Sequence, residues 1–160
     1  MSASADKNIQ MHESSPAGKG DLQPPELPAE FGGGHIVLLD VRERERAVDF
    51  KVLVAPELRF ISQSVLDAAC ADRPTLCEHV CTDDGWDDEP QTLPPLIEHL
   101  AIDLLAQWQR ERGEARAFAG YTVWLDRRRG LARVTLANAG VAVAQTAIAR
   151  ACELASQYIE

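Results

Sequence analysis

At 160 residues, with 46% hydrophobic side chains and a formal net charge of -9, the chain has room for one folded domain of ordinary size. Its acidity excludes a general affinity for nucleic acid or anionic lipid, because either needs a basic surface to displace counterions. No apolar run approaches the roughly 18 residues of a membrane span, and the stretch from Met1 to Asn8 has no apolar segment behind a basic patch, so it does not read as a secretory leader. The expected compartment is the cytoplasm, where Cys70, Cys77, Cys81 and Cys152 are expected as free thiols with no disulfide.

Residues 1–34 are rich in Ser, Pro, Gly and charge, ending in Gly32, Gly33 and Gly34. They bury too little apolar surface to offset the entropy of ordering and read as a disordered N-terminal tail, leaving 35–160 as a single domain. His35 to Val41 and Asp49 to Ala55 are β-branched and leucine-rich runs of strand length. The alternating charges of Arg42 to Arg46 between them suit an exposed strand extension or loop.

Ser62 stands where an N-cap belongs for a helix carrying Val65, Leu66, Ala69 and Cys70, and Pro74 ends that helix because the residue before a proline disfavours helical dihedrals. Asp83 to Pro90 reads as an acidic loop. From Leu93 to about Glu111, Ile97, Leu100, Ala101, Leu104 and Trp108 share one helical face, with Pro94 and Pro95 tolerated in the first turn and Gly113 closing the end. Phe118 to Asp126 and Leu131 to Ala137 form a hairpin through Arg127, Arg128, Arg129 and Gly130, and a last helix runs from about Gly140 to Tyr158. The order is ββα, then α, then ββα. It predicts an α+β fold with an antiparallel or mixed sheet and helices packed on one face.

Charge is unevenly placed. Apart from histidine, every charged side chain between Pro74 and His99 is acidic, whereas Arg110 to Arg133 holds seven arginines against three acids. Cys77, His79 and Cys81, with Cys70 as a fourth, are donor types that zinc prefers, but their spacing fits no standard finger, and buried thiols with a satisfied histidine are the plainer reading. The acidic loop lacks calcium-loop spacing. Trp86 within it either anchors the loop or stacks on guanidinium groups of a ligand.

The long helix carries Glu98, His99 and Asp103 away from its apolar stripe, on the polar side, where they are as readily solvated as functional. An inverted zinc motif, H-x-x-E-H, places two histidines one turn apart on a metal while the Glu activates water. Here Pro95, which has no donor atom, occupies the first histidine's position.

The segment Arg73 to Thr82, with His79 and Cys81, followed by Leu96 to Leu104, resembles the N-terminal domain of cyanophycin synthetase, and the resemblance continues through Gly120 to Thr122 and Arg133 to Leu136 into the alanine-rich last helix. It covers roughly the second half of the chain. That family's domain precedes ligase modules that build an aspartate–arginine polymer; it is implicated in holding polymer and in some members hydrolyses it. By position the resemblance implies Glu98 as the water-activating acid and His99 and Asp103 as metal ligands, with Pro95 departing from the pattern. No phosphate-binding G-x-x-x-x-G-K-[ST] loop is present.

Two expectations follow. The first is a non-catalytic binding or accessory domain without a cofactor, holding an arginine-containing peptide or polymer, or a protein partner, between the acidic residues Asp83, Asp84, Asp87 and Asp88 with Trp86, and the basic turn Arg127, Arg128 and Arg129. The second is a hydrolase with a rebuilt zinc site, using His99, Asp103 and His79 as ligands and Glu98 as base.

Overall fold

A computed structural model describes residues 34–79, 92–114 and 116–160, with the side chains of 77–79 excepted. The residues expected as a tail, up to 33, and the acidic loop with Asp83, Asp84, Trp86, Asp87 and Asp88 lie outside the described residues.

Two strands open the fold: β1 (Ile36–Glu43) and β2 (Ala47–Val54). Of the two readings of the charged stretch, strand extension holds for Arg42 and Glu43, where Arg42 lies opposite Asp49 in the antiparallel register and takes the face of the sheet away from the core, and β2 begins two residues ahead of Asp49. A 3-10 turn at Pro56–Leu58 leads to helix α1 (Gln63–Asp72). Ser62 takes the N-cap position, but its hydroxyl bonds to Ser64 Oγ at 2.7 Å and caps no backbone amide. A second 3-10 turn, Pro74–His79, follows at once.

Helix α2 (Leu93–Arg112) begins where Leu93 N donates to the Arg59 carbonyl at 3.1 Å, so a distant strand-like segment satisfies one of its first amides. At its end Gly113 adopts a left-handed φ of 69°. Gly113 N then donates to the Arg110 carbonyl and Glu114 N to the Gln109 carbonyl, the pairing of a Schellman stop. Strands β3 (Ala119–Asp126) and β4 (Leu131–Ala137) form the expected hairpin, and α3 (Val141–Ile159) completes the chain.

The four strands form one antiparallel sheet in the order β1-β2-β4-β3, so the choice between antiparallel and mixed pairing resolves to antiparallel. Side chains alternate across a strand. On one face Val48, Phe50, Val52 and Val54 of β2 join Ala132, Val134 and Leu136 of β4, all at 2% exposure or less, and pack against Ile97, Leu100, Ala144, Ile148 and Ala151 of α2 and α3. The opposite face carries charged side chains and the exposed Tyr121 and Val123 of β3. No helix among the described residues is long and apolar enough to cross a membrane.

Candidate functional site

Helix α2 is enclosed on more sides than its apolar stripe implies. Glu98 and His99 are each 7% exposed and Asp103 is fully buried, which corrects the expectation of a solvated polar side. The sheet lies against one flank of the helix, while α1 and the turn at Pro74–His79 cover the other.

The carboxylates diverge. Glu98 faces the edge strand β3, where Thr122 Oγ1 donates to Glu98 Oε2 at 3.2 Å. Gly120 leaves the space: a Cβ at that position would lie 2.5 Å from Glu98 Oε1. A strand glycine that admits a neighbouring group is a recurrent use of the missing side chain. Burial pushes the Glu98 carboxyl up from 4.5 to about 7, with the Thr122 hydrogen bond opposing the rise.

Asp103 points to the other flank. Arg73 Nε donates to its Oδ2 at 2.6 Å and Thr75 Oγ1 donates to its Oδ1 at 2.5 Å. Arg73 also donates from Nη2 to Gln107 Oε1 at 2.9 Å, one turn further along α2. The guanidinium thereby clamps the end of α1 to the middle of α2 through charge-assisted bonds. His99 lies on this flank too, lining a cavity of about 160 Å³ with Leu66, Cys70, Leu76 and Leu96.

Cys70 is disulfide-bonded, its partner lying outside the described side chains. This corrects the expectation of free thiols and removes Cys70 as a thiolate ligand. Among the described residues Cys152 is the free cysteine, its thiol pushed up to about 12 by burial and by the neighbouring Glu153. The side chain of His79 and all of Cys81 lie outside the described residues.

As a zinc site the described donors do not fit. Pro95 contributes no atom, both Asp103 oxygens accept protein hydrogen bonds, and Glu98 and Asp103 are turned to opposite flanks. Among the described residues no group of three or more His, Cys, Asp or Glu side chains converges on one point.

Arg127, Arg128 and Arg129 are exposed in the β3–β4 turn, at the opposite end of β3 from Gly120. The Arg127 guanidinium lies 5.5 Å from the centroid of the Phe60 ring. Arg59 Nη1 donates to the Arg127 carbonyl at 2.8 Å, and Arg129 N donates to Asp126 Oδ1 at 3.1 Å. The turn is thus held in place with its charges facing solvent.

Sequence reasoning singled out Glu98, His99 and Asp103 but assigned no role to Arg73, Thr75, Gly120 or Thr122. A glycine at an inward position of a strand was the one available signal for Gly120. Compared with family models, with curated proteins and with solved structures, the chain finds no match.

Proposed function

We propose that the chain is a non-catalytic binding or accessory domain, resembling the N-terminal domain of cyanophycin synthetase, that holds a peptide or polymer bearing both arginine and aspartate. The observation that carries this reading is the engagement of Asp103 by Arg73 and Thr75 while Glu98 turns to β3. Groups that a hydrolase would focus on one water serve instead to fasten α1, α2 and β3 together. The exposed arginine turn at 127–129 and the charged open face of the sheet supply surface of both signs for a ligand of both signs.

Calorimetry with aspartate–arginine oligomers tests it. Binding is expected at low ionic strength and should weaken as salt is added, because exposed charges are screened beyond about 10 Å at 0.1 M. No heat of binding at low salt would overturn the reading.

The zinc-hydrolase alternative draws support from the Glu98 carboxyl near 7, a value suited to a general base. It requires Asp103 to leave Arg73. Stoichiometric zinc in protein purified without an affinity tag, together with a melting temperature lowered by chelator, would favour that alternative over the binding domain.

A further inference from the structure

On the sheet face turned away from the helices, the register sets side chains in rows across the strands. One row runs Arg42, Asp49, Thr135, Tyr121, and the next runs Asp40, Lys51, Arg133, Val123. In the first row the charges on the two central strands are settled: Asp49 pairs with Arg44 and accepts from Thr135 Oγ1 at 2.8 Å. In the second they are not. Asp40 makes only long contacts, 3.7 Å to Lys51 Nζ and 3.5 Å to Arg42 Nε. Arg133 has no ion pair among the described residues, and its Nε is buried without a hydrogen-bond partner.

Lys51 and Arg133 are directly opposed, and like charges so placed on neighbouring strands destabilise a sheet. A buried guanidinium N–H with no acceptor adds a further cost. The first cost falls if an anion sits between the two cations. The cleft they line, about 140 Å³, holds two more cations than carboxylates although the whole chain is at -9. Beside it, Tyr121, Val123 and Leu125 of β3 are 48%, 39% and 43% exposed, giving an apolar shelf along the edge strand.

We infer that Arg133, with Lys51 beside it, forms a carboxylate-binding subsite for an acidic peptide laid along the open face of the sheet. The terminal Nη edge of the guanidinium offers two parallel N–H donors to the two oxygens of a carboxylate, and the β3 shelf takes the aliphatic and backbone atoms next to it. The inference deepens the binding-domain reading and rests on it for the class of ligand.

The test is titration of the ¹⁵N-labelled full chain with an N-acetylated, C-amidated triaspartate, with inorganic phosphate, and with an aspartate–arginine oligomer, in the wild type, Arg133→Gln and Arg133→Lys. Triaspartate is expected to shift the Arg133 Nε–H resonance, assigned by its absence from both variants. Affinity should fall about tenfold in Arg133→Gln, the loss of one charge-assisted bidentate pair, and by a smaller factor in Arg133→Lys, which keeps the charge without the fork. The melting temperature of Arg133→Gln should not drop, since the opposed cation is removed.

Triaspartate bound equally well by wild type and either variant would overturn the subsite, as would a silent Arg133 resonance at millimolar peptide. Phosphate binding at Arg133 as tightly as triaspartate would overturn the peptide assignment in favour of a general anion pocket. If the oligomer binds wild type and Arg133→Gln alike, the subsite falls and the binding-domain reading stands. If triaspartate binds at Arg133 and the oligomer does not bind at all, the reverse holds.

Discussion

Glu98 is a carboxyl group kept from water by an edge strand, and its ionisation works against the fold. Burial raises its pKa to about 7 from the ordinary carboxyl value of 4.5, so the protonated form is the one the native state prefers. The contribution is therefore fully present below about pH 4.5 and is lost as pH rises through about 7. Glu98→Gln, which keeps an acceptor for Thr122, should leave stability unchanged at the acid end and raise it above neutrality by on the order of 1–3 kcal/mol. Urea unfolding on both sides of that window checks this. Destabilisation that appears only above neutrality would show that the carboxylate is instead held by a favourable partner. The trio Glu98, His99 and Asp103 was legible in the sequence as a group, but its burial was not. A helical wheel shows where the apolar stripe lies and says nothing of what covers the remaining sides. Arg73 was illegible for a related reason, since its acceptor on Asp103 lies 30 residues further along. The Cys70 disulfide was missed because free thiols were inferred from a reducing compartment and not from spacing.

At the level of the element, two left-handed glycines separate backbone strain from steric conflict. Gly113 has φ 69° and nothing within 4 Å of an added Cβ, whereas Gly130 has φ 74° and an added Cβ would run into the Val54 carbonyl oxygen. That oxygen belongs to a backbone already tied to the turn, because Val54 N donates to the Gly130 carbonyl at 2.9 Å. Gly113→Ala should cost about 1–2 kcal/mol, the left-handed penalty alone. Gly130→Ala should cost more, on the order of 3 kcal/mol or above, because β2 and the β3–β4 turn must also part. Denaturant midpoints for the two variants rank them directly, and equal costs would remove the steric argument. The helices and the hairpin were readable because their apolar residues recur at the right period and Gly113 and Gly130 punctuate them. The 3-10 turns at Pro56–Leu58 and Pro74–His79 carry no such period. Nor did local pattern reveal that β4 lies between β2 and β3, since that order is decided by contacts far apart in the chain.

Across the whole molecule the two halves are not equivalent. The later half contains its own hairpin and both helices that cover the sheet, α2 and α3. The earlier half has the β1–β2 hairpin and α1, and α1 packs on the Pro74–His79 turn and on α3. The inward side chains of β2, Val48, Phe50, Val52 and Val54, therefore share a core with α2 and α3 of the later half. Ala47 pairs with Ala137, so closing the sheet waits on a long loop. Ile148→Val and Val134→Ala are expected to slow folding, whereas Val52→Ala should chiefly speed unfolding, as read from stopped-flow chevrons. A Val52→Ala that slows folding as much as Val134→Ala would reverse the order. During synthesis the β1–β2 hairpin then lacks the helices that cover it until α2, and after it α3, has left the ribosome. For that interval both its strand edges stay open to any neighbouring chain. The charges of Arg42, Glu43 and Lys51, which contribute nothing to the apolar core, are what discourage a second copy from pairing there.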